Sequence, residues 1–209
     1  AMIMAGGFGT RLRPLTADIP KPMLPIDGQP LLERTVNQLR KAGICNINVS
    51  THYKPDKITQ HFGTGRKFGV NMKYLVEEQP LGTAGALGLI EDIDKPLLVV
   101  NGDILTMVDF RSMFRFHCEH HADLTVGVRQ YTVDVPYGVI RAEEGVVSQI
   151  QEKPKLEFLV NAGVYLVEPS VLGEIPTDER FDMTDLIEKL LSQDRPIVSF
   201  PIVEYWLDI

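Results

Sequence analysis

Strand-like and helix-like segments alternate along the first 122 residues, and this alternation restricts the chain to few folds. Strands are predicted at three apolar segments, ICNINVS, NMKYLVEE and KPLLVVNGD. Helices are predicted at PLLERTVNQLRKAG, which begins with proline and ends with glycine, and at GTAGALGLIEDI and FRSMFRFHCEHH. Such an order is typical of an α/β protein with a mostly parallel sheet.

The pattern changes from about Asp123, where short strands follow one another with few helices between them. These strands are ADLTVGVRQY, YGVIRAEEG, VVSQIQEKP and FLVNAGVYLV. We interpret them as a mixed-sheet half of the same unit, so that residues 1–209 form a single domain. The chain begins at or inside a strand and stops just after EYWLDI. We therefore expect the natural protein to continue beyond residue 209, before residue 1, or both.

Composition and charge exclude several classes of protein. The 209 residues are 44% hydrophobic and carry a net charge of −7, which argues against a nucleic-acid partner. Apolar runs such as PLLVV are too short to cross a bilayer, and no signal peptide is visible, so we expect no membrane partner and a cytoplasmic location. Cys45 and Cys118 lack paired spacing, which favours reduced thiols packed in the core.

The glycine-rich segment AGGFGTRLRPLT, residues 5–16, directly follows the apolar run AMIM. It has no P-loop lysine, and Leu12 stands where a dinucleotide-binding turn needs its third glycine, which disfavours a dehydrogenase. Glycines allow backbone N–H groups to approach an anion, and Arg11 and Arg13 offer donors for phosphate oxygens. The segment predicts a phosphate-binding turn; a tight strand-to-helix turn with surface arginines is the alternative.

The residues after this turn widen the pattern into a family signature. GTRLRPLTADIPKPMLPIDGQPLLE is followed, in order, by EEQPLGTAGAL, NGD, YGV, EKP, VNAG and YWLD. The chain thereby resembles the sugar-1-phosphate nucleotidyltransferases over nearly its whole length. The resemblance is to the mannose-1-phosphate guanylyltransferase-like branch, which includes members fused to paired CBS regulatory domains.

The resemblance implies a Rossmann-like three-layer α/β/α fold with a central mixed, mostly parallel sheet, of the nucleotide-diphospho-sugar transferase or glycosyltransferase-A-like type. It also implies a Mg²⁺-dependent reaction of a nucleoside triphosphate, GTP favoured, with a sugar 1-phosphate, giving a nucleotide sugar and pyrophosphate. A homo-oligomer and CBS domains outside these residues remain open.

Roles carry over from the family to matching positions of this sequence. The residues implied to be catalytic are Arg11, Lys21 and Asp103, and those implied to hold Mg²⁺ are Asp103 and Asp208. The nucleotide would contact Ala5, Gly6, Gly7, Gly9, Thr10, Arg11, Glu77, Pro80, Gly82 and Thr83. The sugar phosphate would contact Tyr137, Gly138, Glu152, Lys153, Asn161 and Gly163.

Glu77, five residues before Gly82, bears on the choice of base. In the family this position contacts the base edge, and a carboxylate only accepts hydrogen bonds. Guanine presents two adjacent donors, so Glu77 favours GTP over UTP, dTTP and CTP. The alternatives are a solvated acidic pair of Glu77 and Glu78 at a strand end, or a match to the family that is shifted by one residue. A catalytically silent regulatory relative is a further alternative, which the presence of Arg11, Lys21, Asp103, Lys153 and Asp208 disfavours.

Three other features are given structural interpretations. His117 and His121 in FHCEHHAD are four residues apart, but we predict a helix with Phe110, Phe114 and His117 facing inward rather than a metal site. DERFDMTDLIEKLL predicts a helix capped by Asp182 or Thr184. The aromatic pair Tyr205 and Trp206 is predicted to be core.

Overall fold

The computed structural model describes residues 1–91, 93–177 and 179–209. The strands are β1 Met2–Met4, β2 Pro25–Ile26, β3 Gln29–Pro30, β4 Asn46–Thr51, β5 Asn71–Val76, β6 Leu97–Asn101, β7 Ile104–Thr106, β8 Leu124–Asp134, β9 Val139–Glu143, β10 Val146–Gln151, β11 Lys155–Val167, β12 Ile197–Pro201 and β13 Trp206–Asp208. The helices are α1 Leu31–Lys41, α2 Pro55–Phe62, α3 Gly82–Gly85, α4 Phe110–Glu119, α5 Pro169–Leu172 and α6 Met183–Ser192.

Seven strands form one mixed sheet in the order β12-β8-β11-β6-β1-β4-β5. Neighbours are parallel except at β11, which runs antiparallel to both β6 and β8. Met2 of β1 pairs with Asn48 on one side and Val99 on the other, so β1 lies inside the sheet. The predicted mixed, mostly parallel sheet is confirmed.

Helices cover both faces of this sheet. Along β6, Leu98 and Val100 pack into a core with α1, α2 and α4, whereas Leu97 and Val99 pack on the opposite face with α6. A strand alternates its side chains between faces, so a strand buried on both sides must be apolar throughout. This arrangement is the predicted three-layer α/β/α architecture.

The structure differs from the predicted helices in two places. GTAGALGLIEDI contains only α3 and a 3₁₀ turn, Ala86–Leu89, and its Asp92 lies outside the described residues. Gly85 and Gly88 weaken a longer helix, and the Gly85 N–H instead bonds to the Phe181 carbonyl. Helix α2 was not predicted from the sequence, although Pro55 occupies its first turn as helix starts often require.

Helix α6 begins as the sequence predicts. Asp182 is its cap, and its side chain and that of Asp185 form a reciprocal capping box. Of the two proposed caps, Asp182 is correct and Thr184 is not. Asp178, in the predicted acidic lead-in, lies outside the described residues.

Several predicted core residues are exposed. Cys45 and Cys118 both face solvent, so the prediction that they pack in the core is wrong. Helix α4 buries Phe110, Met113 and His117, a stripe that repeats every three to four residues and leaves Phe114 46% exposed on another side. Tyr205 is also exposed, whereas Trp206 packs partly against the core.

Strands β8 and β11 extend beyond the sheet as an antiparallel ribbon, paired out to Asp134 and Lys155. The hairpin of β9 and β10 continues this ribbon and is almost wholly exposed. Nearer the sheet, β11 bulges between Asn161 and Tyr165, with Gly163 at a φ of 70°.

Within the described ranges, no helix combines the length and apolarity that crossing a membrane requires.

Candidate active site

A cavity of about 770 Å³ opens where the parallel strands β1, β4 and β6 end. In open α/β sheets, ligands bind at this carboxyl edge. The lining comprises Met4, Ala5, Gly6, Gly7, Phe8, Gly9, Thr10, Arg11, Leu12, Lys21, Pro22, Ser50, Glu77, Pro80, Gly82, Thr83, Asn101, Gly102, Asp103, Arg180, Asp182, Asp208 and Ile209. All the residues predicted to contact nucleotide or metal, and Lys21, therefore lie around one cavity.

The glycine turn forms one wall of this cavity. Gly9 adopts a φ of 60°, which favours glycine, and its carbonyl accepts a 2.7 Å hydrogen bond from Thr16 Oγ1. The Tyr53 hydroxyl, just after β4, donates to the Thr16 and Ala17 carbonyls and so fixes the far side of the loop. Arg11 lines the cavity, whereas Arg13 lies outside the lining.

Lys21 brings the two predicted metal-binding carboxylates together. Its Nζ lies 2.9 Å from Asp103 Oδ2 and 4.0 Å from Asp208 Oδ1. Asp103 follows β6, and Asp208 reaches it because β13 pairs with β7, which places Asp208 opposite Ile104. The Ile209 N–H also donates to the Asp103 carbonyl at 3.2 Å.

The chemistry of this pair suits Mg²⁺. In residues 1–91, 93–177 and 179–209, no group of three or more histidine, cysteine, aspartate or glutamate side chains could hold a metal ion. Two carboxylates alone leave most coordination positions to water and phosphate oxygens, which is how Mg²⁺ is usually bound beside a nucleotide. Asp103 and Asp208 are the residues that would hold it.

Glu77 lies almost buried behind the glycine turn. Its Oε2 accepts a 3.0 Å hydrogen bond from the Leu81 N–H, and a Cβ added to Gly6 would come within 2.6 Å of its Oε1. Only 5% of Glu77 is exposed, whereas Glu78 faces solvent. The alternative of a solvated pair of glutamates is therefore wrong for Glu77.

Asp182 ties the start of α6 to the turn at Gly82 and Thr83. Its Oδ1 accepts from the Thr83 N–H at 2.8 Å and the Thr83 hydroxyl at 3.3 Å, and its Oδ2 accepts from Arg180. Burial raises the pKa of Asp182, but the hydrogen bond from the Thr83 N–H and the bond and charge of Arg180 outweigh it and hold the pKa below its usual range.

Sequence reasoning did not place Arg180 or Asp182 at the cavity. Asp182 was recognised only as a helix cap, and Arg180 belongs to no segment that carries the family resemblance. The RFD sequence before α6 carries no local signal of this position, because its contact with Gly82 is a tertiary feature.

The residues predicted to hold the sugar phosphate lie outside the cavity lining, in two groups. Tyr137, Gly138, Glu152 and Lys153 face one another at the junction of the ribbon and its hairpin, where the Lys153 N–H donates to the Tyr137 carbonyl. Their roles stay predictions.

Asn161 and Gly163 form the second group, in the β11 bulge. The Asn161 Oδ1 accepts from the Gly163 N–H at 3.0 Å. A Cβ added to Gly163 would lie 2.7 Å from the Asn101 Nδ2, and Asn101 lines the cavity. This group therefore adjoins the cavity through Asn101.

The fold and cavity define an α/β protein with a glycine turn, a lysine and two carboxylates at the carboxyl edge of its sheet. A family model described as Nucleotidyl transferase matches residues 1–209, and the chain belongs to this nucleotidyl transferase family. The resemblance found in the sequence is thereby confirmed.

Relatives and solved structures agree with this assignment. The chain is 33% identical to a mannose-1-phosphate guanyltransferase of Schizosaccharomyces pombe over 220 residues, which cover 100% of this chain and 60% of that protein. The chain thus spans about 60% of the length of the curated relatives it matches.

Two crystal structures share the fold. A candidate glucose-1-phosphate thymidylyltransferase from Bacillus anthracis, in complex with a sucrose, has a TM-score of 0.79 and 27% identity over 99% of this chain and 88% of that one. HddC from Yersinia pseudotuberculosis complexed with GMP-PN has a TM-score of 0.74 and 27% identity over 99% and 92%.

Proposed function

We propose that this protein transfers a nucleotidyl group from GTP to a sugar 1-phosphate. A phosphate oxygen of the sugar phosphate attacks the α-phosphorus, the bond from that phosphorus to the bridging oxygen breaks, and pyrophosphate leaves. The observation that carries the proposal is the convergence of Lys21, Asp103 and Asp208 beside the glycine turn in one cavity. The guanyltransferase relatives support the same reaction class.

Both reactants are anions, so the protein's task is charge compensation rather than proton removal. Backbone N–H groups of the glycine turn and the Arg11 guanidinium bind the triphosphate. The Lys21 ammonium, already beside Asp103, provides positive charge for the phosphate oxygens. Mg²⁺ held by Asp103 and Asp208 would supply further neutralisation of the phosphates when bound.

Glu77 selects the base in this proposal. Its carboxylate is fixed by the Leu81 N–H and accepts from the guanine ring N–H and exocyclic amine. HddC, a structural neighbour, is complexed with GMP-PN, whose name denotes a guanine nucleotide. Because the B. anthracis neighbour is named as a thymidylyltransferase, dTTP is one alternative to GTP, and UTP and CTP are the others.

The sugar phosphate is held in this proposal by Lys153, Tyr137, Gly138 and Glu152 of the ribbon and by Asn161 and Gly163 of the bulge. Mannose 1-phosphate is the first compound to test, because the guanyltransferase relatives are named for it. A cytoplasmic location stays a prediction. A homo-oligomer and attachment to CBS domains stay predictions.

Pyrophosphate release tests the proposal, with four nucleoside triphosphates against a panel of sugar 1-phosphates in Mg²⁺. We expect GTP to be used best, and Asp103→Asn to abolish turnover while keeping the fold. Asp56→Asn, which alters an exposed acid of α2, is the matched control and should retain activity. Full activity of Asp103→Asn contradicts the metal assignment, and nucleotide binding without turnover by the unaltered protein indicates a regulatory relative instead.

Glu77→Gln tests the base assignment separately. Glutamine replaces one of the two carboxylate acceptors with an NH₂ donor, so one of the two guanine N–H donors loses its partner. The preference for GTP should weaken by about 1–3 kcal/mol. An unchanged ranking of the four triphosphates contradicts the role given to Glu77.

A further inference from the structure

We infer that Arg180 determines purine specificity by donating hydrogen bonds to O6 and N7 of guanine, on the base edge that Glu77 does not contact. The inference rests on the proposed nucleotidyl transfer and extends it to a residue outside the segments that carry the family resemblance. Arg180 lines the cavity, and its side chain is 74% exposed to solvent.

Asp182 fixes the orientation of the Arg180 guanidinium. Arg180 Nε lies 3.2 Å and Nη2 lies 3.0 Å from the same carboxylate oxygen, Asp182 Oδ2. Asp182 itself is immobilised by Thr83 and by its place as the cap of α6. Since the guanidinium is planar with five N–H groups, this anchoring leaves donors on the edge that faces away from Asp182.

Leu81 places Arg180 near Glu77. The Leu81 N–H donates to Glu77 Oε2 at 3.0 Å, and the Leu81 carbonyl accepts from the Phe181 N–H at 2.9 Å. One residue therefore bridges the acceptor, Glu77, to the segment that carries the donor, Arg180. The phosphate-binding cations proposed above, Arg11 and Lys21, belong to other elements, the glycine turn and the turn Lys21–Met23.

The hydrogen-bonding groups of guanine match a carboxylate acceptor, Glu77, on one edge and a guanidinium donor, Arg180, on the other. Its ring N–H and amine are adjacent donors, and its O6 and N7 form a pair of acceptors that arginine binds in a bidentate manner. Adenine presents an amine where guanine has O6, and pyrimidines lack N7. Glu77 and Arg180 together would therefore select guanine more strongly than Glu77 alone.

The test compares GTP with 7-deaza-GTP, which lacks the N7 acceptor, by equilibrium binding in Mg²⁺. We expect the unaltered protein to bind 7-deaza-GTP about 10-fold more weakly than GTP, since a hydrogen bond to a charged donor is lost. Arg180→Met should bind GTP more than about 10-fold more weakly, since the hydrogen bonds to both O6 and N7 are lost, and should no longer distinguish the two nucleotides. Arg66→Met, which alters an exposed arginine of the turn Arg66–Phe68, should behave like the unaltered protein.

Other outcomes overturn the inference. If Arg180→Met weakens the binding of GTP and 7-deaza-GTP by the same factor, Arg180 acts on the phosphates or only through Asp182. If Arg180→Met leaves both affinities unchanged, or if the unaltered protein binds the two nucleotides equally, Arg180 does not contact N7. A thermal melt of each variant shows whether the fold is kept. If the unaltered protein fails to bind GTP or to release pyrophosphate, the proposed function itself is overturned. If the unaltered protein prefers GTP and Arg180→Met keeps the same preference, only this inference is overturned.

Discussion

Lys21 Nζ lies 2.9 Å from Asp103 Oδ2, although 82 positions separate the two residues in the chain. The same ammonium is 4.0 Å from Asp208 Oδ1. One cation thus compensates two carboxylates that would otherwise repel each other. Lys21 is only 16% exposed, whereas Asp103 and Asp208 keep 38% and 59% of their side chains in contact with solvent, so the carboxylates remain open to a ligand.

Lys21→Met should lower turnover by about 100-fold or more, because a preorganised charge near the reacting phosphates is lost. The free energy of unfolding should change by less than about 1 kcal/mol, since water can solvate both partly exposed carboxylates. Steady-state pyrophosphate release and urea unfolding measure the two effects. Lys41→Met at the exposed end of α1 is the control and should change neither. Unimpaired turnover of Lys21→Met contradicts the assigned role.

The sequence predicted those parts of the site that are formed by residues close to one another in the chain. The glycine turn and the spacing of Glu77 and Gly82 are local features, and the structure places them at one cavity. The meeting of Asp103 with Asp208 followed from the family resemblance, because strand pairing of β13 with β7 leaves no local signal.

Tertiary contacts explain what the sequence did not predict. Ala84 and Gly85 both donate to the Phe181 carbonyl, a contact that shortens α3 and brings Arg180 and Asp182 to the cavity. On α4, helical periodicity identified the buried side of His117, but it could not show how narrow the buried stripe is, so Phe114 was misplaced. Cys118 was misplaced for another reason, because its burial was inferred from cysteine spacing and not from its position on the helix.

Gly6→Ala should destabilise the protein by about 1–3 kcal/mol, because the added Cβ would come 2.6 Å from Glu77 Oε1 and displace a buried, hydrogen-bonded carboxylate. Gly7→Ala is the matched control, since a Cβ there meets nothing within 4 Å. Urea unfolding measures both. In a Glu77→Ala background the Gly6→Ala penalty should largely disappear, and an undiminished penalty there would show that the clash lies elsewhere.

His117→Phe should destabilise the protein by about 2–4 kcal/mol. The buried imidazole lies 2.8 Å from Thr125 Oγ1 and 3.0 Å from Glu168 Oε1, and phenylalanine satisfies neither oxygen. Cys118→Ser, at the exposed neighbouring position, should stay within about 0.5 kcal/mol of the unaltered protein. Zn²⁺ should leave the melting temperature unchanged, and a rise that depends on His117 would contradict its packing role.

Tyr165 should govern part of the alkaline stability. Burial raises the pKa of its hydroxyl to about 12, with the charge of Asp103 adding to the shift and a hydrogen bond with Asn161 opposing it. A folded-state pKa above the unfolded value of about 10 means that stability is fully present below pH 10 and is lost as pH rises toward 12. The shift corresponds to about 2–3 kcal/mol.

Tyr165→Phe removes this titration, so its stability relative to the unaltered protein should be constant up to about pH 10 and then improve steadily. Urea unfolding between pH 8 and pH 11.5 measures the difference. Tyr131→Phe, which alters an exposed tyrosine of the ribbon, should follow the unaltered protein throughout. If the Tyr165→Phe and unaltered curves stay parallel above pH 10, the Tyr165 hydroxyl ionises as easily in the folded protein as in the unfolded chain. The burial of this side chain, at the residue where the bulge of β11 ends, would then not exclude the phenolate.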